Sequence, residues 1–145
     1  MKPLVIIDYG AGNLRSVQKA FERLGYKATV TANPKTIERA AALVFPGQGA
    51  SPPAMAALQY TGLGSAVQES IAKGTPFFGI CLGLQLLMDW SEEGETDCLG
   101  ILPGTVQKFP EESLEFKVPH IGWNNVRILN NHPLFEDIPQ NSFFY

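Results

Sequence analysis

The sequence predicts an α/β fold: an open, mostly parallel sheet with helices on both faces, followed by a short antiparallel extension. Three observations carry that prediction. Apolar runs of strand length alternate with segments of helical period through residues 4–88, strand first each time, and parallel strands need helical crossovers of this kind. Three of the strands run out into glycine-bearing loops, at residues 10–13, 46–49 and 79–83. In a parallel sheet those carboxyl ends share one edge, which is where such sheets hold their functional crevice. From Cys98 onward the segments become short and are separated by proline and glycine, the pattern of an antiparallel extension.

The elements follow in order. Residues 4–8 form a β-branched strand that leads into Y-G-A-G-N. Asn13 is a good N-cap for a helix whose apolar face is Leu14, Val17, Ala20, Phe21 and Leu24, and Gly25 sits where a left-handed C-cap belongs. A second strand covers residues 27–31. Asn33-Pro34 then caps and opens a short helix to about residue 40. A third strand, residues 42–45, stops at Pro46-Gly47-Gln48-Gly49. Residues 50–73 are alanine-rich at helical spacing and broken by Thr61-Gly62, so they form one interrupted helix or two short ones. The fourth strand begins after Gly74 and gives way at Cys81 to a helix carrying Leu84, Leu87 and Met88. Residues 91–95 read as an acidic, solvated turn. Strands are expected at 105–109, 117–120, 125–129 and 142–145, with a small helical turn over 132–138. Nothing marks a second domain, so residues 1–145 read as one.

Bulk properties exclude several functions. The 45% hydrophobic content and 17% charge are those of a globular protein. The net charge is −3 without a basic cluster, which leaves nucleic acid no electrostatic footprint. The longest N-terminal apolar run, residues 4–7, is too short for a signal peptide or a membrane span. With two cysteines, one of them at the strand-to-helix junction, a reducing compartment is expected, and the protein reads as cytosolic. The loop G-A-G-N-L-R lacks the third glycine of a dinucleotide fingerprint, and the next strand lacks a terminal acid for a ribose. No cofactor and no metal are expected.

The chemistry concentrates on Cys81. It stands where a strand turns sharply into a helix, flanked by Gly79 and Gly83. Such a turn lifts the side chain off the sheet edge and faces it to unpaired helix N–H groups, which favour a thiolate. Small neighbours are required because the elbow has no room for a Cβ beside the nucleophile. The alternative is that Cys81 is a small buried hydrophobe, as free cysteines often are.

Gly79-Ile80-Cys81-Leu82-Gly83-Leu84-Gln85-Leu86-Leu87, together with Pro46-Gly47-Gln48-Gly49, resembles the class I, triad-type glutamine amidotransferases. Asp8-Tyr9-Gly10-Ala11-Gly12-Asn13-Leu14-Arg15-Ser16-Val17 and Val118-Pro119-His120-Ile121-Gly122-Trp123-Asn124 narrow the likeness to the glutaminase subunits of imidazole glycerol phosphate synthases, of histidine biosynthesis. The resemblance covers essentially the whole chain and implies a flavodoxin-like amidotransferase fold. By that resemblance Cys81 attacks the side-chain amide of L-glutamine, forming a glutamyl thioester and releasing ammonia to a synthase/cyclase subunit in a heterodimer. The backbone amides of Leu82 and Gln48 serve as oxyanion donors, with Gly47 and Gly49 freeing the Gln48 peptide to rotate. Gln48 departs from the family, where an apolar residue is usual, but a backbone donor requires no particular side chain. Gln85 and Glu93 contact the substrate. Gly10, Asn13, Pro119, His120, Trp123 and Asn124 form the face toward the synthase.

A thiolate nucleophile wants a general base oriented by a third group. The histidines of the sequence are His120 and His132. Position alone makes His120 the tempting base and His132-Pro133 a capping or surface residue. The resemblance instead assigns His120 to the interface and draws the base from a later F-H-P-E-type motif, which these residues do not contain. The chain is therefore expected to be a C-terminally truncated subunit, idle or nearly so by itself. Two rivals remain: a catalytically silent module that binds the same partner, and an unrelated cysteine-elbow hydrolase on a similar sheet.

Overall fold

β1 (Leu4–Ile7) reads L-V-I-I and is apolar at every position because both of its faces are covered. After it come α1 (Leu14–Arg23), β2 (Ala28–Thr31), α2 (Pro34–Ile37), β3 (Ala42–Gly47), α3 (Ser51–Thr61), α4 (Leu63–Ala72), β4 (Phe77–Cys81) and α5 (Leu82–Gln85). The computed structural model describes residues 3–10, 12–110, 122–130 and 132–144. These belong to two compact units, Met1–Lys108 and Phe109–Tyr145.

In the first unit β1 to β4 form one sheet in the order β2-β1-β3-β4, parallel at every pairing. Strand alternation divides the core between its faces. Val5, Ile7, Leu43 and Phe45 face Ile37 of α2, Met55 and Leu58 of α3, and Leu63 and Val67 of α4. Ile6 and Val44 face the other way, against Leu14, Val17 and Phe21 of α1. Phe45 is wholly buried, and burial of a side chain of that size stabilises by about 1.5–3 kcal/mol. Helices therefore cover both faces, as the alternation predicts.

Several boundaries differ from the sequence expectation, each for a local reason. α2 stops at Ile37 rather than near residue 40. Arg39 and Ala40 donate to carbonyls three residues back, and Ala41 N–H is captured by the Pro3 carbonyl at the start of β3. β3 continues past Phe45, because pairing with β4 persists to Gly47 opposite Cys81. The 50–73 region is two helices, broken at Gly62, which takes φ 71° and joins them with a left-handed cap. α5 ends at Gln85 instead of continuing to Met88. The carbonyls of Leu86, Leu87 and Met88 are taken by the N–H groups of Leu99, Ile101 and Gly100, so they cannot propagate a helix.

Beyond α5 the chain adds a small sheet in the order β6-β5-β7. β5 (Trp90–Ser91) pairs antiparallel with β6 (Thr96–Asp97) and parallel with β7 (Thr105–Val106). The acidic segment 91–95 is thus a hairpin turn, with Gly94 at φ 65° and Glu95 at φ 48°. The strand expected over 105–109 is confined to its first two residues. Among the described residues no helix is long and apolar enough to cross a membrane.

The second unit contains β8 (Asn124–Asn125) paired antiparallel with β9 (Phe143–Phe144), and a 3-10 turn at Pro133–Phe135. The strand expected over 125–129 pairs only at its start, and the helical turn expected over 132–138 is shorter. Residues 117–120 lie outside the described residues.

Candidate active site

Cys81 closes β4 and directly precedes α5, with φ 55° and ψ −121°. For a residue with a Cβ this conformation costs of order 1–3 kcal/mol and persists only where the surroundings enforce it. Two close approaches do so. A Cβ on Gly83 would lie 1.8 Å from the Phe45 carbonyl oxygen, and one on Gly79 would lie 2.8 Å from Leu84 Cα. The glycines flanking the cysteine thus let α5 pack hard against β3 and β4, and the sharp turn follows. The Cys81 side chain is exposed, so it is not the buried hydrophobe of the alternative reading. Cys98, half-buried, has its thiol pKa pushed up by burial first and by the Asp97 charge second.

The loops at the strand ends converge as the parallel sheet requires. Gly47 is the register partner of Cys81. A Cβ on Gly47 would meet Gly83 N and Leu82 Cβ, each at 2.8 Å, so β3 ends against the first turn of α5. A Cβ on Gly12 would lie 3.8 Å from Gly47 N and Cα, which brings the 10–13 loop to the same edge. Gly49 has φ 93° and open space around it, a conformation that glycine adopts freely. Gln48 between them is exposed. Leu82 is the first residue of α5, and an N–H at that position has no acceptor within its own helix.

The remaining predicted residues divide. Gln85 is exposed four residues after Cys81, on α5. Glu93 is occupied: its Oε2 accepts from Ser51 N–H at 2.8 Å and from Ser51 Oγ at 3.1 Å. Ser51 Oγ also lies 3.2 Å from Ser91 Oγ. The acidic turn is thereby tied to the N-terminus of α3, directly after the 46–49 loop. Gly10 takes φ 89°, with its N–H donated to Asp8 Oδ1, and Asn13 is exposed ahead of α1 without a side-chain capping bond. Pro119 and His120 lie outside the described residues. Trp123 and Asn124 are exposed and belong to the second unit. There His132 Nδ1 accepts from Leu134 N–H at 3.2 Å, the capping role that its proline neighbour suggests.

Sequence reading overlooks Tyr9. Its ring stacks edge-on against Phe45, centroids 5.3 Å apart, and its hydroxyl oxygen lies 2.6 Å from where a Gly47 Cβ would be. Burial, and then the nearby Cys81 charge, push its pKa up to about 12, so the group is an O–H at any ordinary pH. The signal was present in the sequence only as a large polar aromatic inside an otherwise glycine-rich loop.

Comparison with known proteins gives consistent matches. The family model described as glutamine amidotransferase class-I matches residues 5–143. The chain is 49% identical over 151 residues to the imidazole glycerol phosphate synthase subunit HisH of Neisseria meningitidis serogroup B, covering 97% of this chain and 71% of that protein. It is 49% identical over 146 residues to the subunit of the same name from Methanosarcina barkeri, covering 100% and 70%. With that of Moorella thermoacetica it shares 50% over 146 residues, covering 100% and 68%. Among solved structures, one described as a glutamine amidotransferase superposes with a TM-score of 0.65 at 23% identity, covering 77% of this chain and 59% of the other. A putative peptidase E from Listeria monocytogenes superposes with a TM-score of 0.58 at 17% identity, covering 70% and 63%. At these identities the two structures speak for the fold alone.

Proposed function

Because the chain belongs to the class-I glutamine amidotransferases, we propose that it is the glutaminase subunit of an imidazole glycerol phosphate synthase. It hydrolyses L-glutamine to glutamate and delivers the ammonia to a synthase/cyclase partner in the cytosol. The observation that carries this reading is the strained, exposed Cys81 in register with Gly47. An exposed thiol on an enforced turn is what a nucleophile needs and what a structural cysteine does not.

The steps follow from the positions. Cys81 Sγ adds to the glutamine Cδ, and the carbonyl electrons move onto oxygen. The N–H groups of Leu82 and Gln48 receive that oxyanion, and each preorganised donor of this kind is worth about 2.7–4 kcal/mol of barrier. Collapse expels ammonia once the leaving nitrogen has been protonated, and water then cleaves the thioester to glutamate. Gly47 and Gly49 give the intervening peptide its freedom. Gln85 and Glu93 hold the polar ends of the substrate, with Glu93 exchanging its Ser51 contacts for the α-ammonium group. Gly10, Asn13, Pro119, His120, Trp123 and Asn124 serve the partner interface.

The resemblance draws the general base from an F-H-P-E-type motif. His132 is engaged as a cap in the second unit, and no F-H-P-E-type motif occurs in these 145 residues. Loss of a base in such constellations costs a factor of about 10⁴ to 10⁶. The 145-residue polypeptide is therefore expected to release ammonia from glutamine very slowly. A partner-binding module without turnover is the alternative reading. Ammonia release measured with and without the synthase subunit, beside a pull-down of that subunit, tests both readings. Capture without turnover fits the slow chain; failure to capture the synthase overturns the subunit assignment.

A further inference from the structure

The residue left over by the mechanism is Tyr9. It is 4% exposed, and its hydroxyl has no hydrogen-bond partner among the described residues. Buried hydroxyls are almost always paired, so an orphan in a core calls for a physical account. Its position is informative. Ile6 of β1 pairs with Val44 of β3, and the same register carried three residues on sets Tyr9 beside Gly47. Gly47 in turn pairs with Cys81. Tyr9, Gly47 and Cys81 therefore form one row across the carboxyl edge, with β3 between β1 and β4.

The N–H and C=O of a peptide point in opposite directions. For the Gln48 N–H to face the nucleophile on the β4 side, the Gly47 carbonyl must face the β1 side. There it needs a donor, since a buried carbonyl is otherwise costly. Close to that peptide stands an unpartnered O–H, 2.6 Å from the point that a Gly47 Cβ would occupy. We infer that Tyr9 is a positioning residue for the oxyanion donor: its hydroxyl donates to the Gly47 carbonyl in the conformation that presents Gln48 N–H to Cys81. One rearrangement then satisfies two groups, and the orphan hydroxyl of the described state is the counterpart of a bond made during catalysis. The raised pKa keeps the group a donor throughout. The absence of a Cβ at Gly47 is what lets the hydroxyl come so close.

The inference rests on the reading of Gln48 N–H as an oxyanion donor, and the test separates the two. The chloromethyl ketone analogue of glutamine must take the thiolate at its carbonyl and develop an oxyanion. Iodoacetamide alkylates the thiolate by direct displacement of iodide and develops none. Both rates at Cys81 are measured for the 145-residue chain and for Tyr9→Phe, together with the thermal midpoint. The expected result is a loss of roughly fivefold or more in the chloroketone rate, the size of one hydrogen bond, with the iodoacetamide rate unchanged. The midpoint should be unchanged or raised, because Phe removes an unpaired hydroxyl. Wild-type rates with both reagents in Tyr9→Phe overturn the inference and leave the functional reading standing. Equal slowing with both, or a clear fall in the midpoint, also overturns it, by placing the hydroxyl's role on the thiol or in the resting core. A wild-type chain that the chloroketone does not label, or labels without protection by glutamine, overturns the functional reading and the inference together.

Discussion

At the scale of residues, the site is a set of contacts that leave no latitude for substitution. Cys81 is held at φ 55° because Gly79 and Gly83 have given up their side chains to β3 and to α5 itself. The presence of that elbow was legible in the sequence, since glycines on both sides of a cysteine at a strand-to-helix junction have few other uses. Tyr9 was not legible, because its hydroxyl acquires meaning only when β1 and β3 are known to be neighbours. Its ionisation gives a direct prediction. The folded pKa near 12 lies above the ordinary value of 10, so the unfolded chain loses this proton first. The stability held below pH 10 is therefore lost progressively between pH 10 and 12. A shift of that size corresponds to about 2–3 kcal/mol at most. Urea unfolding at pH 8 and pH 11 should show a larger alkaline loss in the wild type than in Tyr9→Phe, and an equal loss in both would refute the cause assigned here.

Elements explain why the contacts arise. Strand and helix order was readable because each apolar run is stopped by glycine, asparagine or proline, and the parallel order β2-β1-β3-β4 then gathers the glycine loops. Lengths were less readable. α5 is not continued because a segment more than ten residues downstream takes the carbonyls that follow it, those of Leu86, Leu87 and Met88, a capture that local periodicity does not encode. Ser51 and Glu93 stand 42 positions apart in the chain, so their bond was equally hidden. Gly83→Ala should be severe, since its Cβ would overlap the Phe45 carbonyl. A loss of about 3 kcal/mol or more is expected in urea unfolding. Glu93→Ala removes a carboxylate from the N-terminus of α3 and should cost about 1 kcal/mol. Glu93→Gln, which keeps an acceptor for Ser51 N–H, should cost less than half as much by the same measurement. Equal losses would mean that charge rather than the hydrogen bond holds the turn.

For the molecule as a whole, the first unit carries the chemistry, and its sheet is unevenly clothed. α1 lies against one face near β2, and on that face Phe78 of β4 remains 55% exposed. Among the described residues β4 pairs only with β3, so it is the edge of its sheet. An apolar side chain on an unpaired edge favours association between copies. Sedimentation velocity on the 145-residue chain should show association that rises with concentration and weakens in Phe78→Lys. A monomer at all concentrations would show that the edge is already protected. The sequence announced this only indirectly, through the apolar run of β4, because which strand forms the edge is a property of the sheet order.

The proposed chemistry converges on the thiol of Cys81, and its selective reaction with a glutamine analogue is the decisive measurement. The full 145-residue chain is treated with the chloromethyl ketone analogue of glutamine, and the modified cysteine is located by mass spectrometry, with and without excess L-glutamine. Modification of the exposed Cys81 should run well ahead of that of Cys98, whose thiol pKa is raised by burial, and glutamine should protect Cys81. Equal labelling of both cysteines, or labelling of Cys81 that glutamine does not slow, would contradict that chemistry.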